Sequence, residues 1–419
     1  MSAVGIEAMN FYGGTAYLDV AELAEHRNLE TQRFENLLMH AKTVALPYED
    51  PISLGVNAAK PIVDSLSDAD RDRIELLVTC TESGIDFGKS ISTYVHDYLG
   101  LNRNCRLFEV KNACYSGTAG FQMAVNFILA QVSPGAKALV VATDVSRFHV
   151  ADAGEALSED WSFAEPSGGA GAAALLVSDK PEVYQVDVGA NGYYGYEVMD
   201  TCRPIPDSEA GNADLSLMSY LDCCYETFAE YQRRVPAADY RESFDYLAFH
   251  VPFGGMVKGA HRKMMRRLYR AAPQEIEDDF ERRVGPGLAH CQNVGNVMGA
   301  TVLLALLSTI DNGVFEKPKR IGCFSYGSGC CSEFHSGVVT PGGHEKLRQM
   351  DVPGHLKRRR KMSLEQYDAL LVHNEAVRFG TRKVDLDLDP FADFVHDIQG
   401  AGVLILRRID EFHREYEWL

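Results

Sequence analysis

The chain has 419 residues, 46% of them hydrophobic, with 41 Lys and Arg against 59 Asp and Glu for a formal net charge of −18. That length fills one large domain or two fused cores, and the acidic balance argues against nucleic acid as a main partner, since phosphate binding needs a basic footprint. No run approaches the roughly 18 apolar residues of a membrane span, and the first residues lack the charged-then-apolar pattern of a secretory signal, so no membrane role and a cytoplasmic location are expected.

In chain order, apolar β-rich runs alternate with amphipathic stretches, the pattern of an α/β protein with buried strands. Strands are expected at 74–80, 106–110, 138–142, 171–177, 246–250 and 321–326. Helices are expected at 90–99, 115–131, 258–272 and 296–310. The hydrophilic tract 343–363 reads as a loop or a solvated helical connection. Ten cysteines, at positions 80, 105, 114, 202, 223, 224, 291, 323, 330 and 331, form neither a disulfide framework nor a paired metal-ligand pattern and are read mostly as buried thiols.

A weak internal echo runs through this order. Leu76-Leu77-Val78-Thr79-Cys80-Thr81-Glu82-Ser83-Gly84 ends a strand in polar residues before Gly, as does Leu247-Ala248-Phe249-His250-Val251-Pro252-Phe253-Gly254-Gly255. Residues 138–144 are echoed at 320–329. Two halves of common ancestry, 1–180 and 181–419, would bring such strand ends to one interface and gather Glu82, Cys114 and His250 there.

Cys114 stands where an apolar segment meets a Gly-flanked turn opening a helix, and the positive end of the peptide dipoles there favours thiolate. Each residue also has a bland reading: a free Cys is ordinarily a small buried hydrophobe, Glu82 could cap the next helix, and His250 could be a satisfied histidine at a strand end. Together they suffice for carbon–carbon bond formation. A Cys thioester has acidic α-protons, a carboxylate can remove one, and an imidazole can serve the carbonyl oxygen of a second substrate.

Six segments make the sequence resemble the HMG-CoA synthase family of the thiolase superfamily over nearly its whole length. They are Thr81-Glu82-Ser83-Gly84-Ile85-Asp86, Asn112-Ala113-Cys114-Tyr115-Ser116-Gly117, Pro166-Ser167-Gly168-Gly169-Ala170-Gly171-Ala172, His250-Val251-Pro252-Phe253, Asn293-Val294-Gly295-Asn296 and Ser325-Tyr326-Gly327-Ser328-Gly329. The resemblance implies a thiolase-like αβαβα layered fold, a homodimer, and Glu82 as general base, Cys114 as acylated nucleophile and His250 as the acid for the acceptor. It further implies that Asn296 orients the acceptor, that the turn at Ser328 and the Cys114 amide form an oxyanion hole, and that Asp200 and Asp144 organise the pocket. Such donors typically lower an acyl-transfer barrier by ~3 kcal/mol each. No metal or redox cofactor is implied.

Departures from the mevalonate-pathway pattern cluster where CoA would be handled. Gly254-Gly255 replaces a usual Cys-Lys, Met298-Gly299 replaces an aromatic, and Leu37-Leu38-Met39-His40 lacks a usual Gln. With Arg378-Phe379-Gly380-Thr381-Arg382 and the ending Glu411 to Trp418, the chain most resembles the HMG synthase-like β-branching enzymes of modular polyketide pathways, of the curacin and jamaicamide type. That implies acetyl and β-ketoacyl substrates on the phosphopantetheine of donor and acceptor acyl carrier proteins. An acidic enzyme meeting an acidic carrier needs a local basic rim, for which Arg33, Lys258, Arg262 and Arg266, with Lys263 and Arg267, are candidates, although such a run is ordinarily a solvated helix face. A mevalonate-pathway synthase using acetyl-CoA and acetoacetyl-CoA, a decarboxylative ketosynthase III-like enzyme, and an inactive carrier-protein binding module remain as alternatives.

Overall fold

The computed structural model describes residues 3–30, 34–147, 164–205 and 208–419. Nine strands build its main sheet: β1 (Gly5–Tyr12), β2 (Ile74–Cys80), β3 (Arg106–Val110), β4 (Lys137–Val145), β5 (Ala170–Ser178), β6 (Tyr184–Gly195), β7 (Tyr246–Phe249), β8 (Lys319–Gly327) and β9 (Cys331–Val339). Their order is β7-β8-β9-β6-β1-β5-β4-β2-β3.

The echo in the sequence reappears as topology. In the first set β1 pairs antiparallel with β5, β5 antiparallel with β4, and β4 parallel with β2. In the second, β6 pairs antiparallel with β9, β9 antiparallel with β8, and β8 parallel with β7. The sets meet only where Gly5 and Ile6 pair with Gln185 and Tyr184.

Five helices mark the layers: α1 (Pro51–Asp64), α2 (Ser116–Leu129), α3 (Ala213–Arg234), α4 (Gly254–Tyr269) and α5 (Thr301–Asn312). Every residue of α5 from Thr301 to Ile310 is buried, which a helix sustains only when enclosed on all sides. It packs on β7, β8 and α2, while α2 packs on β2, β4 and β5, so these two helices fill the middle of the molecule. On the outer faces, α1 covers β1, β4 and β5, and α3 covers β6 and β9. The result is the expected αβαβα layering. Asp50 starts α1 with a capping box ahead of Pro51, the chemistry that satisfies the free N–H groups of a first turn.

The expected strands 74–80 and 106–110 form with those bounds, that at 246–250 ends one residue early at Phe249, and the other three extend by two to four residues. The helix expected at 258–272 starts earlier, at Gly254, and ends at Tyr269 because Arg270 turns left-handed at φ 52°. The helix expected at 296–310 begins only at Thr301, so Asn296 lies outside it, ahead of a single 3₁₀ turn at Met298–Ala300. The tract 343–363 takes the helical rather than the loop alternative, but it is not merely solvated. It folds as helices Pro341–Arg348 and Val352–Arg358 and the short strand Arg360–Lys361, with Leu347, Val352, Leu356, Arg359 and Met362 buried. Two of its exposed charges are paired, Arg360 with Asp397 at 2.6 Å and Lys361 with Glu22 at 2.6 Å.

Candidate active site

Cys114 sits between the end of β3 and the start of α2. Ala113 is held at φ 43°, the left-handed region that a side chain adopts at a cost of roughly 1–2 kcal/mol, and the Tyr115 and Ser116 amides donate back to the Asn112 and Ala113 carbonyls, each at 3.1 Å. The turn is clamped from the second half. A Cβ on Gly327 would lie 2.6 Å from the Tyr115 nitrogen, and one on Gly117 would lie 2.1 Å from the Gly299 carbonyl.

Glu82 follows β2, and its turn is built around a buried carboxylate. Asp144 Oδ1, at the end of the neighbouring β4, accepts from Thr81 Oγ1, the Glu82 and Ser83 amides and Ser83 Oγ, each at 2.9 Å. Burial nevertheless pushes the Asp144 carboxyl above the usual aspartate range, against the opposing pull of Arg203. Arg203 reaches over the same turn, placing Nη2 3.4 Å from Glu82 Oε1 and donating from Nη1 to Ser83 Oγ at 3.3 Å.

His250 follows β7, the counterpart of β2. It is 1% exposed, its Nδ1 has no hydrogen-bond partner among the described residues, and the Tyr220 hydroxyl donates to its backbone carbonyl at 2.6 Å. Burial lowers its pKa from the ordinary 6.5 to about 3, so the ring is neutral at physiological pH. Asn296 Oδ1 accepts from the Met298 amide at 3.0 Å and Thr301 Oγ1 at 2.9 Å, which leaves the side-chain NH₂ as its donor toward the cavity. Asp200 is fully buried and ties down the Ser328 turn, accepting from Tyr326 OH at 2.5 Å and the Gly329 amide at 2.8 Å.

Glu82, Cys114, His250, Asn296 and Ser328 line one cavity of about 1680 Å³, together with Lys258, Arg262 and Arg266. Asp144 and Asp200 stand behind its wall, where they order the turns that face it. Arg33 lies outside the described residues. On the rim, Lys258 pairs with Glu277 at 2.5 Å, Lys263 with Asp222 at 2.5 Å, and Arg267 stacks over Tyr225. Arg262 and Arg266 are exposed and have no acidic partner among the described residues.

Two of the sequence departures turn out to touch. A Cβ on Gly255 would lie 1.8 Å from the Asn36 carbonyl, and one on Gly254 would lie 2.8 Å from Leu38 Cβ. Only glycines let the 36–38 segment lie against the start of α4, and both stretches contribute to the cavity wall. The third, Met298, lines the same cavity, with Ser146 Oγ 3.8 Å from its sulfur.

In the sequence Tyr326 stands within a motif without being given a part, and Arg203 is given none. Their positions beside Glu82 and Asp200 depend on long-range convergence that spacing does not encode. Glu109, on β3, is a further cavity carboxylate; it accepts from the Ile91 amide at 2.8 Å, and burial raises its pKa.

Residues 1–182 match the family described as hydroxymethylglutaryl-coenzyme A synthase N terminal, and residues 266–418 match its C-terminal counterpart. The chain belongs to the hydroxymethylglutaryl-coenzyme A synthase family. It is 67% identical over 419 residues, all of both chains, to the polyketide biosynthesis 3-hydroxy-3-methylglutaryl-ACP synthase PksG of Bacillus subtilis. The hydroxymethylglutaryl-CoA synthase of Enterococcus faecalis is 29% identical over 370 residues, 88% of this chain and 91% of that one. Among solved structures, the HMG synthase of the curacin biosynthetic pathway in complex with holo donor-ACP superposes over the whole of both chains with a TM-score of 0.96 at 64% identity. MvaS in complex with 3-hydroxy-3-methylglutaryl coenzyme A does so with 0.85 at 28%. Solved relatives of this fold thus include one in complex with a donor-ACP and one in complex with a CoA thioester.

Proposed function

We propose that this synthase performs β-branching in polyketide biosynthesis, condensing an acetyl group from acetyl-ACP with the β-ketone of an acetoacetyl- or β-ketoacyl-ACP. The observation that carries the reading is the convergence of Cys114, Glu82, His250 and Asn296 on one cavity whose rim includes the exposed Arg262 and Arg266. The Cys114 thiolate attacks the donor carbonyl, the pantetheine thiolate leaves and takes up a proton, and the backbone N–H groups of Cys114 and Ser328 hold the oxygen while it carries charge.

Glu82 then removes a methyl proton from acetyl-Cys114, and the enolate carbon bonds to the acceptor's β-carbon. His250, neutral because it is buried, donates its N–H to the ketone oxygen as it becomes alkoxide and passes it that proton, and the proton taken up by Glu82 restores the ring, so both side chains end as they began. Asn296 offers its NH₂ to the acceptor. Water cleaves the remaining thioester, which frees the Cys114 thiol and leaves a 3-hydroxy-3-methylglutaryl-type product on the acceptor carrier. The substrates bring their own thioesters on phosphopantetheine, and no step uses a bound metal or redox cofactor.

Arg262 and Arg266, one helical turn apart on α4, give an acidic carrier protein a cationic landing site, with the Lys258–Glu277 pair beside them. The repeated strand order supports reading the chain as halves 1–180 and 181–419, and we assign the molecule as a cytoplasmic homodimer. The test is a side-by-side assay. Acetyl-ACP should add one acetyl group to Cys114, visible by protein mass, at least tenfold faster than acetyl-CoA, and Arg266→Glu should erase most of that advantage by raising the half-saturating carrier concentration. Equal rates from the two donors would move the assignment to a CoA-dependent synthase, and no adduct on wild type would reduce the protein to a carrier-binding module.

A further inference from the structure

Beneath the nucleophile, on the side away from the cavity, lies a carboxylate that the chemistry above does not use. Glu333 is on β9 and is 1% exposed. Its Oε2 accepts from Tyr115 OH at 2.7 Å, and its Oε1 accepts from Gln122 Nε2 at 2.9 Å and Asn191 Nδ2 at 2.8 Å. Two of these three donors belong to the nucleophile's own segment: Tyr115 is the residue after Cys114, and Gln122 lies along α2. A buried carboxylate is costly unless its lone pairs are filled, and here both oxygens are occupied by fixed side chains.

Glu333 sits two residues past the β8–β9 turn that carries Ser328. That hairpin is in strict register, with Tyr326 opposite Ser332 and Ser325 opposite Glu333. Sulfur and Ser328 thus come from different halves of the chain, and the bonds from Glu333 to Tyr115 and Gln122 tie one half's nucleophile segment to the hairpin bearing the other half's oxyanion turn. Gly327 abutting Tyr115 closes the same junction by contact. We infer that Glu333 is a positioning residue that fixes the Cys114 sulfur relative to the Ser328 donor turn, acting through Tyr115.

The inference rests on the reading that Cys114 is acylated with its thioester oxygen held at that turn. Two reactions of the same sulfur separate it from general support of the fold: acetylation builds an oxyanion, while alkylation by iodoacetamide does not. In the full-length protein, Glu333→Gln should slow acetyl transfer from acetyl-ACP to Cys114 roughly ten- to a hundredfold, the scale of a misplaced reacting group. Iodoacetamide alkylation, compared on the alkaline plateau of its pH profile, should stay within about twofold of wild type.

Tyr115→Phe, which deletes one hydroxyl and keeps the ring, should reproduce the loss, and the double variant should be no slower than the worse single one, because both break one linkage. Normal acetylation in Tyr115→Phe, multiplicative losses in the double variant, or an equal fall in alkylation would each overturn the assignment, and the Tyr115 arm decides it even if Glu333→Gln folds poorly. Absence of acetylation in wild type would instead count against the proposed reaction.

Discussion

Glu82 and His250 occupy equivalent places in the two halves, each just beyond a strand that lies parallel to its neighbour, β2 beside β4 and β7 beside β8. Their surroundings diverge. Glu82 remains 16% exposed at its side chain, faces the Arg203 guanidinium, and rests on a turn wound around Asp144. His250 is sealed in, has an unpartnered ring nitrogen, and is kept neutral by desolvation alone. Topologically equivalent positions thus have charge and polar support on one side and neither on the other. The roles proposed for them, a base that holds a proton only briefly and a donor that stays neutral until an alkoxide forms, call for that asymmetry.

The largest effect expected from disturbing this pair is at Glu82. Glu82→Gln should leave acetylation of Cys114 intact and lower condensation by about a thousandfold, the usual reach of a positioned base; pre-acetylated protein mixed with acceptor-ACP gives the condensation rate directly. Next comes the acid sensitivity of the His250 side. The unfolded chain binds a proton at this ring below 6.5, whereas the folded chain refuses it until about 3. Stability is therefore complete above 6.5 and falls as pH drops through that window, by about 2 kcal/mol between pH 7 and 5. Denaturant titrations of wild type and His250→Asn at both pH values should differ by that amount, and identical pH dependence would show that the ring is not held neutral.

The smallest effect belongs to the polar support of Glu82. Arg203→Lys keeps the charge but cannot span Glu82 and Ser83 together, and should slow condensation about tenfold with acetylation unchanged.

Much of this arrangement was legible before any coordinates. Alternating apolar and amphipathic runs located β2 and β3 to the residue, and the paired strand-end motifs led to Glu82 and His250 because a repeated β-strand followed by a polar residue and glycine is a local signal. The tract 343–363 misled because its Arg and Lys residues look solvated in sequence, whereas Arg359 is buried against Thr43 and the next two residues pair with acids far along the chain. Arg203, Tyr326 and Glu333 escaped for a related reason. Each acts through a partner in another part of the chain, and nothing in their own neighbourhoods reports that partner.

The close fit of Gly117 and Gly299 bears on redesign. A side chain at 117 would run into the 299 carbonyl, and one at 299 would come within 2.2 Å of Ser116 Oγ. The nucleophile's helix and the turn behind Asn296 are thus interlocked like two gears without clearance. Efforts to widen the pocket for bulkier donors by spreading the halves will jam at this seam unless both glycines' surroundings are altered together, so space is better sought at the Leu37–Leu38 wall, where side chains can be trimmed.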